Sequence, residues 1–230
     1  MKYSEIRKYS PIAGKGLFVS EVLCMLLSPY LTSIFIKQKV TPNTVTLLMI
    51  ILSIIGTILL VIPSLVLMLL GIICLWGWFV LDCSDGEVAR ITENFSKYGR
   101  EMDYMAHLIC HPLLNLSIFI FYYQRGYDLL ILALISISFI SLELVNRSII
   151  VINIYRSSMC YAEILKTNYF KYVIQQFLYY PNFVLFFPII MLIGEITGSN
   201  SFLLYVCWFS IYLLYCLKQI VTTLYTFYKS

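Results

Sequence analysis

Residues 45–81 read VTLLMIILSIIGTILLVIPSLVLMLLGIICLWGWFVL. No charged side chain interrupts them, and the one strong break is Pro63 with Ser64 beside it. The hydrocarbon core of a bilayer takes about 20 apolar residues of helix. The stretch therefore divides into two spans, Val45–Ile62 and Ser64–Leu81, joined by a tight apolar hairpin. Lipid offers no partner to free backbone N–H and C=O groups, so both spans must be helices.

Working outward, four further runs have the same character: Met105–Tyr123, Leu129–Ile152, Pro181–Ile196 and Phe202–Val221. Of the 230 residues 60% are hydrophobic and 12% charged, with a mean hydropathy of +0.86. A soluble domain carries about 25% charged residues. The sequence thus predicts an all-α integral membrane protein, a six-transmembrane-helix bundle over residues 41–225. Residues 1–40 are expected to form a cytoplasmic or interfacial amphipathic segment. Within it, Gly16–Ile36 is apolar but interrupted by Glu21, Ser28 and Pro29. This favours an N-terminal interfacial helix pair over a seventh span. Asn153–Tyr180, mixed aromatic and polar, is expected to be interfacial as well.

Basic residues orient the bundle. With the N-terminus in the cytoplasm, fifteen of the 16 lysines and arginines fall on or near that side, and Arg125 falls on the other. That is the positive-inside bias, and it places residues 82–103 at the cytoplasmic face. The net charge of +4 is too modest to suggest a nucleic-acid partner. Three N-x-S matches, at Asn94, Asn115 and Asn146, fall in the cytoplasm or the membrane and read as chance. The seven cysteines form no C-x-x-C pair and sit mostly in apolar runs, as small hydrophobes. No small-residue cleavage site follows the first apolar stretch, so no removable signal peptide is expected.

Ionisable groups at a membrane helix end are costly and mark function by default. Here Asp82-Cys83-Ser84-Asp85-Gly86-Glu87-Val88-Ala89-Arg90 follows the second span, and Gly99-Arg100-Glu101-Met102-Asp103-Tyr104-Met105-Ala106-His107 leads into the third. On a helix continuing the second span, Asp82, Asp85, Gly86 and Ala89 share a face. On a helix entering the third, Gly99, Asp103, His107 and His111 share another. Three carboxylates and an imidazole would then meet across one gap. Carboxylates so placed repel one another and lose hydration, which divalent cations relieve. Oxygen ligands suit Mg²⁺ or Mn²⁺, and two such ions would clamp a diphosphate for in-line displacement.

The string fits D-x2-D-G-x2-A-R-x8-G-x3-D and resembles the signature of the CDP-alcohol phosphotransferases, also called CDP-alcohol phosphatidyltransferases. At an average usage of about 5% per residue, a chance match is on the order of one in a billion per starting position. The stretch Thr41-Pro42-Asn43-Thr44-Val45-Thr46 is similar to the P-N-x-x-T stretch that opens the first span in that family. The resemblance implies transfer of a phosphoalcohol from a CDP-alcohol donor to an alcohol or lipid acceptor, with release of CMP. It implies Asp82, Asp85, Asp103 and the last motif position as metal ligands. Gly86 and Ala89 would make room for the nucleotide, Arg90 would organise the loop or phosphate, and Gly99 would allow close packing, with Asn43 also in the nucleotide site. A homodimer, in contact with membrane lipid, is implied too.

One position departs from the pattern. The family ends in a fourth Asp, and here that place holds His107. In the family this residue is a second-metal ligand and the favoured general base. Two nearby cations would disfavour imidazolium, and a neutral imidazole can accept a hydroxyl proton. One nitrogen cannot do both jobs. Losing one anionic ligand is expected to weaken the second metal or move the preference from Mg²⁺ toward Mn²⁺. Deprotonation of the acceptor hydroxyl is expected to fall to His107, with Asp103 as the second catalytic residue.

Outside the motif, His111 reads as a structural group before Pro112. Glu143, Asn146 and Arg147, one turn apart, read either as a pair holding helices together or as an acceptor or phosphate site. Arg156, Lys166 and Lys171 suit anionic lipid more than the acceptor's head group, the other reading. Two alternatives to a lipid-synthesis enzyme stay open: the same fold with a non-lipid acceptor, or a catalytically inactive nucleotide-binding membrane protein. A transporter would need a polar lining through the spans, and only one end is polar.

Overall fold

The computed structural model describes residues 3–9, 25–157, 178 and 180–229. Its helices are α1 (Tyr3–Ile6, followed by a 3-10 turn at Arg7–Tyr9), α2 (Met25–Lys37), α3 (Pro42–Val61) and α4 (Leu65–Thr92). They continue with α5 (Gly99–Tyr123), α6 (Leu129–Ser157), α7 (Tyr180–Thr197) and α8 (Ser201–Lys229). There is no strand among the described residues. The six helices from α3 to α8 are long and apolar enough to cross a membrane. The chain is thus an all-α, multi-pass membrane protein with six spans, as its sequence predicts. Residues 10–24, and most of the expected interfacial segment after α6, lie outside the described residues.

Helix ends overrun the apolar runs. α4 continues from the predicted limit at Leu81 to Thr92, and α5 starts at Gly99 rather than Met105. The physical reason is that hydropathy marks where lipid begins, whereas intrahelical hydrogen bonding continues through polar residues until a break stops it. α3 begins where Thr41 caps it, its hydroxyl accepting from the Thr44 N–H at 3.3 Å, with Pro42 in the first turn. Pro suits that place, since its missing N–H would have had no intrahelical acceptor. α4 stops at Glu93, whose φ of 52° is left-handed.

The chain forms two compact units, Met1–Leu113 and Leu114–Ser230. In the first, α3 and α4 pack as an antiparallel hairpin, with α2 against α4. Leu47, Ile51, Ile58, Val66, Leu69 and Ile73 stay exposed, as a lipid-facing surface requires. The inner faces bury Val45, Met49, Leu60, Met68, Ile72 and Leu75. Gly56 and Gly71 let the two backbones approach closely. A Cβ on Gly71 would stand 2.8 Å from the Gly56 carbonyl oxygen.

In the second unit, α6 and α7 each pack on α8. An aromatic core fills it, built on Phe139, Tyr180, Phe183, Phe187, Tyr205 and Tyr212. Glu143 is buried there. Its Oε2 accepts from the Tyr212 hydroxyl at 2.5 Å, and its Oε1 lies 3.5 Å from Arg147 Nε. The Glu143–Tyr212 bond ties α6 to α8. At the α5–α6 turn Arg125 pairs with Glu195 at 2.5 Å.

Gly71→Ala should lower stability by about 1–3 kcal/mol, the cost of overpacking, despite a helix-propensity gain of about 1 kcal/mol. Gly77→Ala is the control. Its Cβ would meet only the end of the Leu52 side chain, at 2.9 Å, which can rotate away. Thermal unfolding in detergent should drop for Gly71→Ala and stay near wild type for Gly77→Ala.

Candidate active site

The polar end of α4 carries two functional faces. One turn of helix puts Ser84 and Glu87 opposite the Asp82–Asp85 side. Glu87 is fully buried, and its two oxygens accept from Ser28 Oγ at 2.8 Å and Thr32 Oγ1 at 2.6 Å, both on α2. Ser28 and Thr32 are themselves one turn apart, so a single helix face grips a single carboxylate. With that side occupied, Asp82, Asp85, Gly86 and Ala89 are turned away from α2.

On that free side, Asp82, Asp103 and His107 bring one ligand atom each to within 4.8 Å of the others. His107 Nε2 lies 3.1 Å from Asp82 Oδ1 and 3.6 Å from Asp103 Oδ1. Ligand atoms about 2.1 Å from a small cation, at right angles, stand about 3 Å apart. The three side chains therefore fit one divalent ion of the kind that takes mixed nitrogen and oxygen ligands. Exposure grades them: the His107 side chain is 12% exposed, Asp82 23% and Asp103 43%.

Asp85 is not part of that group of three. Its Oδ2 accepts a hydrogen bond from Thr46 Oγ1 at 2.7 Å. The Thr46 hydroxyl also lies 3.3 Å from the Pro42 carbonyl oxygen, so the first turn of α3 and the motif of α4 are tied together. Asp85 and Asp103 both line a cavity of about 580 Å³. α3 contributes Pro42, Asn43 and Thr46 to its wall, and α4 adds Gly86, Ala89 and Arg90. The α4–α5 loop and the start of α5 supply Asn94, Phe95, Lys97, Gly99 and Arg100. The cavity thus carries three cationic side chains, Arg90, Lys97 and Arg100, together with the acidic Asp85, Glu101 and Asp103. That mixture of charge suits a ligand carrying phosphates next to bound cations.

All of Asn43, Gly86, Ala89, Arg90 and Gly99 line this cavity. Arg90 Nε donates to the Tyr9 carbonyl oxygen at 2.7 Å, fastening the turn after α1 to α4. A Cβ on Gly86 would lie 3.0 Å from Arg90 Nη1, so the glycine leaves room for the guanidinium to fold back. Gly99 has more space, its nearest neighbour being Ser96 Oγ at 3.4 Å from a built Cβ.

Glu87 and Trp78, which the sequence did not single out, prove central to the geometry, and so does Thr46, the threonine of the P-N-x-x-T stretch. Thr46 lies one turn past Pro42, and Trp78 one turn before Asp82. Helical spacing brings Trp78 near the site, but nothing in its type, or in that of Glu87, announces a role. His111 is buried, and its ring and that of His107 meet Trp78 edge-on.

Replacing Ser28 by Ala together with Thr32 by Val removes both hydroxyl donors from the buried Glu87 carboxylate. Leaving a buried charge so placed costs about 1–3 kcal/mol or more. The double variant should unfold at a lower temperature than wild type in the same detergent. Unchanged stability would mean that α2 does not hold α4 through this contact.

Compared with known proteins, residues 39–222 match the family model of the CDP-alcohol phosphatidyltransferases. A comparison with curated proteins finds no match.

Proposed function

The chain belongs to the CDP-alcohol phosphatidyltransferase family, and on that premise we propose that it transfers a phosphoalcohol from a CDP-alcohol to an acceptor alcohol in membrane lipid synthesis, releasing CMP. The observation that carries this reading is the juxtaposition of the Asp82–Asp103–His107 group with a polar cavity that Asp103 shares. The family works with divalent cations. We assign the cation here to Asp82, Asp103 and His107, with Asp85 facing the same cavity for a second ion. When bound, Mg²⁺ or Mn²⁺ supplies positive charge that neutralises the diphosphate and the departing CMP.

The remaining work falls to the protein's own side chains. Arg90, Lys97 and Arg100, which line the cavity, hold the phosphates. Asn43 and Asn94 offer amides to the nucleoside. Thr46 keeps the Asp85 carboxylate turned toward the cavity. The acceptor oxygen attacks the phosphorus that bears the donor alcohol. A new P–O bond forms, the bond to the bridging oxygen breaks, and CMP leaves.

The acceptor proton goes to Asp103. Its side chain is 43% exposed and lines the cavity, whereas that of His107 is 12% exposed, with Nε2 turned toward Asp82. His107 as the base is the second reading. The distribution of lysine and arginine supports a site on the cytoplasmic side. The family premise extends to a homodimer.

The test is CMP release by the protein in lipid, with a panel of CDP-alcohols and graded Mg²⁺ or Mn²⁺. Asp103→Asn should lower kcat by about 10²-fold or more. His107→Ala should regain activity at high Mn²⁺ if the imidazole only holds a cation. It should stay inactive at any metal concentration if the imidazole is the base. Nucleotide binding without CMP release from any donor would replace the enzyme reading with that of an inactive binding protein.

A further inference from the structure

Trp78 stands where a membrane protein seldom needs a tryptophan. Interfacial tryptophans usually face the headgroups, yet Trp78 is fully buried. It lies on α4 one helical turn before Asp82, toward the membrane interior. Its ring centroid is 5.5 Å from that of His107 at an interplanar angle of 78°, and 5.8 Å from that of His111 at 80°. The two histidine rings are in turn 5.3 Å apart at 70°. Each pair is edge-to-face, the arrangement that aromatic quadrupoles favour, and the three contacts close a triangle.

That triangle has a consequence for His107. Rotation about χ2 of a histidine is broad and roughly two-fold. A half-turn exchanges each ring nitrogen with a ring carbon. A loosely held imidazole would therefore present C–H, rather than Nε2, to the carboxylates for part of the time. Here one side of the ring is packed by Trp78 and His111, and Nδ1 is buried. Nε2 is left facing Asp82 Oδ1 at 3.1 Å and Asp103 Oδ1 at 3.6 Å.

We propose that Trp78 is a positioning residue which, together with His111, holds the His107 imidazole with Nε2 inside the Asp82–Asp103 group, so that the divalent cation bound there takes one nitrogen ligand. The inference rests on the reading that Asp82, Asp103 and His107 hold a cation. It goes further in fixing which atom ligates and what orients it. A mixed nitrogen and oxygen set favours Mn²⁺ over Mg²⁺, because imidazole suits the later ion better. Hydrogen-bond partners behind a metal-bound histidine commonly set its orientation, and losing one weakens metal binding about 10–100-fold; here ring packing takes that part.

The experiment uses the full-length protein in lipid nanodiscs with Mn²⁺ alone as the probe. Pulsed electron paramagnetic resonance reads whether ¹⁴N is coupled to the ion, and calorimetric titration reads affinity. Wild type should bind Mn²⁺ with ¹⁴N coupling, and His107→Asp should bind it without. Trp78→Phe keeps an edge-to-face ring and should keep the coupling. Trp78→Leu should lose or scatter the coupling and bind Mn²⁺ about tenfold or more weakly. Trp78→Met, unbranched and better able to fill an irregular gap, takes its place should the leucine variant fail to fold. Coupling that persists in the ringless variants overturns the role of Trp78. Mn²⁺ bound by wild type without ¹⁴N coupling, or coupling retained in His107→Asp, overturns the nitrogen ligand while leaving the cation site intact. No Mn²⁺ binding to wild type overturns the cation site itself and this inference with it.

Discussion

Glu87 is a carboxylate shut away from water between α2 and α4, where Ser28 and Thr32 each give it a hydroxyl. A charge in such a place is tolerable only while its donors stay with it. The contact therefore fixes how α4 is turned about its own axis. That rotation decides everything on the opposite face. A half-turn error would point Asp82 and Asp85 at α2 and leave His107 on α5 with no carboxylate from α4. The Gly56–Gly71 approach fixes how close α3 comes. The Thr46–Asp85 bond then secures the polar end of the hairpin.

Charge is handled differently on the two faces of α4. Behind, two hydroxyls donate to the Glu87 carboxylate in place of water. In front, Asp82, Asp85 and Asp103 are gathered where their repulsion is not relieved by hydroxyls alone. Arg90, Lys97 and Arg100, which line the same cavity, bring positive charge to it. His107 brings a nitrogen, and no further carboxylate, to Asp82 and Asp103. An imidazole is also larger than a carboxylate, and Trp78 and His111 supply the packed wall against which the larger ring rests.

Much of this was legible in the primary structure. The run from Val45 to Leu81 could only be two membrane helices, because its length and lack of charge leave no other way to satisfy the backbone. The spacing of Asp82, Asp85, Gly86 and Ala89 set them on one helical face before any coordinates. What hydropathy could not mark was the continuation of α4 to Thr92 and the start of α5 at Gly99. Those turns are polar, and a helix does not end where lipid does. Nor could spacing separate Asp85 from the close group of Asp82, Asp103 and His107, since that depends on where α3 and its Thr46 hydroxyl lie.

The sequence by itself determined that the chain is a six-span helical membrane protein, and it singled out the motif residues, His107 among them, as the candidates for its chemistry. These follow from local rules: hydropathy over a window, helical periodicity, and the fixed spacing of a motif. The tertiary structure decided which of those residues meet, that Glu87 turns inward while its neighbour Asp85 turns to the cavity, and that Trp78 packs against His107. Such contacts join residues far apart in the chain, as with Ser28 and Glu87 or Asp82 and His107. They depend on the distance and rotation between packed helices, which no local pattern encodes.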